Sequence, residues 1–151
     1  MDIGPDITYC FSDDNDTLYS NVTGGQWTGT GIISQTLGIF DPGNSAAGNF
    51  ELTYFYLNPA NSCSNTDTLQ IIVYDLPPVY AGIDTIMCNQ SVSEILSGNT
   101  PNGGVWNGTG ITNINTGEFT PNGVGIYEVY YNFTDINGCF NEDTVVVDVI
   151  E

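Results

Sequence analysis

The side chains of this chain that could do chemistry are carboxylates and thiols, because its 151 residues include no Lys, Arg or His. The 18 Asp and Glu residues give a formal net charge of −18. Without cationic groups the chain has nothing that neutralises phosphates. It also lacks the lysine and histidine side chains of Schiff-base chemistry, catalytic triads and histidine-containing zinc sites. We therefore expect no nucleic-acid partner and few enzyme mechanisms.

Paired carboxylates could still catalyse glycoside hydrolysis, which needs no basic side chain. The conspicuous acids, Glu51 and Glu128, stand at matching places in two similar segments, on the solvent side of predicted strands. No feature of the sequence selects two carboxylates for one site. We therefore expect no catalytic residue and no enzymatic activity.

Residues 12–16, Ser-Asp-Asp-Asn-Asp, form the densest cluster of side-chain oxygens. Because Ca²⁺ takes carboxylate and amide oxygens, Asp13, Asn15 and Asp16 are candidate calcium ligands. The cluster lacks the full spacing of an EF-hand loop, and a solvated acidic turn is the simpler explanation. We expect that the chain requires no cofactor. Since no carboxylate has a basic side chain to pair with, we expect Ca²⁺ or added salt to raise the melting temperature.

The four cysteines stand at equivalent places in the two similar segments, and three pairings are open to them. The repetition favours bridges within each segment, each closing a loop of about 50 residues and contributing about 3–4 kcal/mol in the loop-entropy estimate. Metal binding is the alternative, but the sequence has neither a CxxC spacing nor a His. Disulfides indicate an oxidising compartment. The expected bridges join Cys10 to Cys63 and Cys88 to Cys139.

An internal repeat organises the chain. Residues 24–32, Gly-Gly-Gln-Trp-Thr-Gly-Thr-Gly-Ile, return as residues 103–111, Gly-Gly-Val-Trp-Asn-Gly-Thr-Gly-Ile. The Gly-x-Phe-x-Pro motif of residues 38–42 returns at residues 117–121. Repeats at such spacing are best explained as copies of one structural unit. The sequence therefore predicts two modules, residues 1–76 and 77–151, with a short proline linker at their boundary.

Each copy alternates apolar and polar residues with a period of two, which is typical of half-buried strands. Asn-Gly pairs, which tolerate positive φ, lie between these segments, and no stretch shows a sustained helical period. The pattern predicts an all-β fold of two tandem immunoglobulin-like antiparallel β-sandwich modules.

Trp27 and Trp106 occupy matching Gly-flanked segments. Exposed indoles would form an aromatic platform for stacking on a sugar, whereas buried ones would pack between two sheets. Identical placement favours the buried alternative, because a repeated module must repeat its core. Tyr127, at the start of a predicted strand, is a candidate tyrosine-corner residue, and Phe50 at the matching place cannot form that hydrogen bond.

Four motifs lie along the chain: Gly-Gly-x-Trp-x-Gly-x-Gly, Gly-x-Phe-x-Pro, Gly-x-Tyr-x-x-x-Tyr, and Gly-Cys before Asp-Thr and an alternating valine strand. Together they resemble the immunoglobulin-like repeats of very large surface proteins of Bacteroidetes, which include gliding-motility adhesins and other cargo of the type IX secretion system. The second copy matches best. In the first copy Ser62 replaces the glycine that precedes the second cysteine.

The resemblance implies an extracellular or cell-surface location. Proteins exported in that phylum are often O-glycosylated at Asp-Ser/Thr followed by an aliphatic residue. The sequence holds four such tripeptides, and their glycosylation candidates are Thr17, Thr68, Thr85 and Thr144.

The function expected from the sequence is that of a non-catalytic structural or adhesive repeat, a disulfide-stabilised, rod-like spacer in a large surface protein or fibre. Its partners would be neighbouring modules of the same polypeptide or assembly. Two alternatives stay open: a carbohydrate-binding or accessory module of a secreted hydrolase, with surface glycans as partners, and a self-assembling filament subunit. The apolar runs are too short for membrane insertion.

Overall fold

The computed structural model describes residues 1–90 and 92–151, which divide into two compact units, Met1–Leu76 (unit 1) and Pro77–Glu151 (unit 2). Each unit has its own hydrophobic core. Within the described residues, no helix has both the length and the apolar character that a membrane span requires.

Unit 1 is built from short strands and one long hairpin. A single turn of 3-10 helix, Pro42–Asn44, precedes the hairpin. The strands are β1 (Ile7–Cys10), β2 (Asp16–Thr17), β3 (Gln26–Thr28), β4 (Ile32–Ser34), β5 (Ile39–Phe40), β6 (Gly48–Leu57) and β7 (Ser64–Tyr74).

Unit 2 repeats this series strand for strand. Its strands are β8 (Thr85–Cys88), β9 (Glu94–Ile95), β10 (Val105–Gly108), β11 (Ile111–Asn113), β12 (Glu118–Phe119), β13 (Gly125–Thr134) and β14 (Phe140–Ile150).

The described residues of each unit form a four-stranded and a three-stranded sheet. The orders are β1-β7-β6-β3 and β2-β5-β4 in unit 1, and β8-β14-β13-β10 and β9-β12-β11 in unit 2. The first strand of each unit pairs parallel with the last, and the other pairs are antiparallel. The predicted fold class is therefore confirmed: the chain is all-β, with two immunoglobulin-like sandwich units in tandem along the sequence.

The predicted two-residue alternation forms the cores. In the β6–β7 hairpin, Leu52 and Leu69 are opposite each other and are fully buried, whereas the neighbouring cross-strand pair, Glu51 and Gln70, is exposed. Burying alternate side chains places one face of each long strand against the core and leaves the other to solvent. The corresponding buried pair in unit 2 is Val129 and Val145.

The strand register contradicts the expected disulfides within each unit. Cys10 is opposite Tyr74, the last residue of β7, whereas Cys63 directly precedes the first residue of β7. Eleven residues of extended chain separate the two cysteines by roughly 35 Å. A disulfide requires Cα atoms within about 7 Å of each other. A bridge from Cys10 to Cys63 is therefore impossible in this fold.

The same register excludes the expected bridge in unit 2. Cys88 is opposite Ile150, the last residue of β14, and Cys139 directly precedes the first. In the structure Cys63 and Cys88 carry free, exposed thiols, while Cys10 and Cys139 are disulfide-bonded. The prediction of Cys10–Cys63 and Cys88–Cys139 pairs was wrong because the two cysteines of each copy lie at opposite ends of the last strand.

The turn before β7 contains a residue with a strained backbone conformation. Ser62 has a φ of 59°, whereas Gly138 with a φ of 88° takes its place in unit 2. The left-handed region costs a non-glycine residue about 1 kcal/mol or more. We therefore expect Ser62→Gly to raise the free energy of unfolding of unit 1 by about 0.5–1 kcal/mol, measured by urea denaturation. Ser64→Gly, in the adjacent strand, is the control. It should lower the free energy of unfolding, because glycine weakens a strand. A destabilised Ser62→Gly variant would contradict the strain.

Candidate functional site

The acidic turn that contains the candidate calcium ligands connects β1 to β2. A carboxylate oxygen of Asp13 accepts the backbone N–H of Cys10 at 2.7 Å, and one of Asp16 accepts the Tyr9 hydroxyl at 2.8 Å. The Asn15 side chain is exposed. The two carboxylates thus hold the end of β1 in place. Across residues 1–90 and 92–151, no three His, Cys, Asp or Glu side chains are grouped to hold a metal ion.

The hydroxyl of Tyr9, which is hydrogen-bonded to this turn, has a raised pKa. Burial raises the pKa of its hydroxyl well above the usual value, and the hydrogen bond to Asp16 and the charges of Asp16 and Asp13 raise it further. The hydroxyl therefore remains protonated and donates to Asp16 across the neutral pH range. Its ring packs against Phe40 with the ring centroids 5.2 Å apart, so this contact joins the acidic turn to the core.

The two tryptophans are core residues. Trp27 is 3% exposed and Trp106 is 2% exposed. Their rings pack against Tyr54 and Tyr131, with centroid distances of 4.9 and 5.0 Å. The prediction that they are buried is confirmed, and the alternative of an aromatic platform is wrong because neither indole face is available to a sugar.

The tyrosines beside the tryptophans have a role that the sequence reasoning missed. The Tyr54 hydroxyl accepts the Gly25 N–H at 2.9 Å and donates to the Val22 carbonyl at 2.6 Å. Tyr131 forms the same pair of bonds, from Gly104 at 2.8 Å and to the Pro101 carbonyl at 2.6 Å. Each hydroxyl therefore fixes the loop that enters the tryptophan strand.

These bonds explain the second glycine of the Gly-Gly-x-Trp motif. A Cβ at Gly25 would lie 2.5 Å from the Tyr54 ring carbon Cζ, and one at Gly104 would lie 2.6 Å from that of Tyr131. Such distances leave no room for a side chain. The repeated glycine therefore marks the close approach of the loop backbone to a buried tyrosine, which is the signal that could have revealed the contact.

The tyrosine corner is present in unit 2. The Tyr127 hydroxyl donates to the Gly123 carbonyl, four residues upstream, at 3.0 Å. This is the bond proposed from the sequence, and it is confirmed. Phe50, at the matching place in unit 1, has no hydroxyl to donate.

Acids that recur in both copies have structural roles. Asp6 accepts the backbone N–H of Gln70 at 3.0 Å, and Asp84 accepts that of Val146 at 2.8 Å. Both carboxylates therefore satisfy an amide of the last strand just before the first strand begins to pair with it. These bonds help to set the register that separates the cysteines.

The two carboxylates considered for catalysis, Glu51 and Glu128, each make a local hydrogen bond. Glu51 accepts the Gln70 side-chain amide at 2.9 Å, and Glu128 accepts the Tyr130 hydroxyl at 3.2 Å. The hydrogen bond to Glu128 and its charge raise the pKa of the exposed Tyr130 hydroxyl. Glu51 and Glu128 thus lie on exposed strand faces in different units, each in a local hydrogen bond.

The glycosylation candidates lie on strands. Thr17 is in β2, Thr68 in β7 and Thr144 in β14, and all three are exposed. Thr85 begins β8 and is half-buried. Their modification stays a prediction, with Thr85 the least accessible of the four.

No protein-family model and no curated protein sequence matches the chain. Among solved structures, the insect immune protein hemolin is similar at 13% identity and a TM-score of 0.41, over 98% of this chain and 46% of hemolin's. Drosophila N-cadherin EC1-4 is similar at 9% identity and a TM-score of 0.38, over 97% of this chain and 48% of that one. Chicken VE-cadherin EC1-2 is similar at 13% identity and a TM-score of 0.33, over 99% of both chains.

The chain spans less than half the length of the hemolin and N-cadherin structures.

The tyrosine bonds generate a prediction for stability. Tyr131→Phe removes the hydroxyl between Gly104 and Pro101 and leaves the part-buried glycine N–H without its acceptor. We expect the free energy of unfolding of unit 2 to fall by about 1–3 kcal/mol in urea denaturation. Tyr130→Phe, whose hydroxyl bonds at the exposed surface, is the matched control and should change little. Equal effects in the two variants would disprove the anchoring role.

The acidic turn generates a second prediction. Nearby charges on the surface repel over a Debye length of about 30 Å at 10 mM salt and about 8 Å at 150 mM. We expect NaCl to raise the melting temperature, and CaCl₂ and MgCl₂ at equal ionic strength to raise it equally, as followed by circular dichroism. A melting temperature independent of salt would contradict the repulsion. A rise specific to Ca²⁺ and abolished by Asp13→Asn would instead restore the calcium site.

Proposed function

We propose that this chain is a non-catalytic structural repeat of a large extracellular surface protein or fibre, and that it acts as a rod-like, disulfide-stabilised spacer between neighbouring modules. Binding or adhesion would be carried out by the assembled protein, with neighbouring immunoglobulin-like modules as the immediate partners. A setting like that of the Bacteroidetes surface repeats belongs to the same proposal.

The observation that supports this most strongly is what the repeated residues do. The second glycine of Gly-Gly-x-Trp makes room for a tyrosine, the tryptophan fills the core, and the acid before the first strand binds a backbone amide of the last strand. Each of these roles occurs in both units. The residues of the shared motif therefore stabilise the fold, and the two copies have a structural framework in common.

The charge distribution suits a repeated surface module. Each unit carries nine acids and no Lys, Arg or His, so every module repels every other module of its kind. Net charge of one sign keeps proteins soluble and hinders unspecific association. The lack of Lys and Arg also means that trypsin has no cleavage site in the chain. O-glycosylation at Thr17, Thr68, Thr85 and Thr144 would add further protection and remains part of the proposal.

The alternative of a carbohydrate-binding module loses its main support. Carbohydrate binding would require a row of exposed aromatic side chains. Both tryptophans are instead buried in the cores. Soluble sugars should therefore leave the tryptophan fluorescence of the full chain unchanged.

The flanking coding sequence provides the most direct test. A spacer repeat predicts further copies on either side, each with Gly-Gly-x-Trp and Gly-x-Phe motifs and one cysteine before the last strand. An adjoining hydrolase domain without such copies would contradict the proposal and indicate an accessory module. Sugar-dependent quenching of tryptophan fluorescence would also contradict it.

A further inference from the structure

The four cysteines occupy two positions of the repeat. We call them the first-strand position, Cys10 and Cys88 at the ends of β1 and β8, and the last-strand position, Cys63 and Cys139 just before β7 and β14. Cys10 and Cys139 are disulfide-bonded, whereas Cys63 and Cys88 are free. Each position is therefore disulfide-bonded in one unit and a free, exposed thiol in the other.

The last-strand cysteines close equivalent hairpin turns. The carbonyl of Cys63 accepts the N–H of Asn58 at 2.8 Å, and that of Cys139 accepts the N–H of Asp135 at 3.0 Å. The turn of unit 1 is one residue longer than that of unit 2, but in both the cysteine is the last residue before the final strand. Cys63 therefore occupies the place in unit 1 that corresponds to the disulfide-bonded Cys139.

The first-strand position shows the same agreement. The residue after Cys10 donates its N–H to the Tyr74 carbonyl at 2.8 Å, and the residue after Cys88 donates to the Ile150 carbonyl at 2.7 Å. Both cysteines thus end a parallel strand at the same register. Cys88 therefore has the backbone placement at which Cys10 is bonded.

The partner of each free thiol must come from outside its own unit. The other cysteine of unit 1, Cys10, is already bonded and lies roughly 35 Å from Cys63 along the sheet. The other cysteine of unit 2, Cys139, is likewise bonded and lies at the far end of β14 from Cys88. One bonded cysteine is at the first-strand position and the other is at the last-strand position. The two free cysteines are divided in the same way.

The surface around Cys63 favours contact with another acidic chain. The shallow depression that contains it is lined by residues without a carboxylate: Met1, Val22, Tyr56, Asn58, Ser64 and Asn65. The depression at Cys88 is lined by Asn89, Gln90 and Glu151, so a single carboxylate is present there. In a chain with 18 acids, these are surfaces that a second copy can approach with little local repulsion.

We propose that Cys63 and Cys88 are the sites of intermolecular disulfides that join copies of this module head to tail, Cys63 of one copy to Cys88 of the next. The inference rests on the proposed function, since the partner is another module of the same repeat. A pairing between two different surface positions does not close on itself as a two-fold dimer does, so it can extend into a linear series.

The chemistry is thiol–disulfide exchange with a small-molecule disulfide as the oxidant. The Cys63 thiolate attacks oxidised glutathione and forms a mixed disulfide, releasing one reduced glutathione. The Cys88 thiolate of the second copy then attacks the Cys63 sulfur and releases the second reduced glutathione. Overall the two cysteines lose two protons and two electrons and gain one S–S bond, while oxidised glutathione takes up both and becomes two thiols.

The test uses the full chain and two variants, Cys63→Ser and Cys88→Ser, in a glutathione redox buffer with 150 mM NaCl. Under these conditions the wild-type chain should give a ladder of dimers and longer species on a non-reducing gel, which a reductant collapses to monomer. Each variant alone should remain mainly monomeric. The two variants mixed should give dimer as the main product and nothing longer, because each supplies the one thiol that the other lacks.

Mass spectrometry of the mixed-variant dimer should identify a Cys63–Cys88 peptide. Efficient dimerisation of either variant alone would overturn the inference, because it would mean unspecific oxidation of exposed thiols. A wild-type chain that stays monomeric would overturn it too. Either failure leaves the proposed function standing, since that function depends on further copies in the flanking sequence. A flanking hydrolase domain would contradict the function irrespective of the gel.

Discussion

The structure depends on the parallel pairing of the first strand of each unit with the last. In unit 1 this pairing places Ile7 opposite Ile71 and ends with Cys10 opposite Tyr74, and unit 2 repeats it. The acids at Asp6 and Asp84 bind last-strand amides just before the pairing starts. Because the register is held in this way, each unit carries one cysteine at either end of its last strand. That separation excludes a disulfide between the two cysteines of either unit.

The same residues serve the same purposes in both units. A buried tryptophan packs on a tyrosine whose hydroxyl holds the preceding loop, and the glycine of that loop leaves room for it. Asp6 and Asp84, at matching places, each bind a backbone amide. These residues shared by the two copies therefore serve the fold. Uncompensated charge on the surface then keeps such modules apart, except where a specific bond or linker joins them.

The sequence predicted the features that depend on local pattern and on repetition. Period-two alternation indicated the long hairpins and their buried faces, the repeat indicated Trp27 and Trp106 as core residues, and a Gly-x-Tyr strand start indicated the Tyr127 corner. It failed where the answer depends on register between distant strands. β1 pairs with residues more than 60 positions away, and no local signal reveals that the pair is parallel. Cys10 and Cys63 therefore looked like partners although the pairing keeps them apart. The role of the Tyr54 hydroxyl was missed for the same reason, since its partners lie about 30 residues upstream in a loop.

Peptide mapping of the unreduced monomer tests the central claim most directly. An acid-specific protease is required because the chain has no Lys or Arg, and free thiols should be blocked before digestion. The register predicts that no peptide links Cys10 to Cys63 or Cys88 to Cys139. The free thiols of Cys63 and Cys88 should be recovered in blocked form. Recovery of either linked peptide would contradict the parallel pairing of first and last strands.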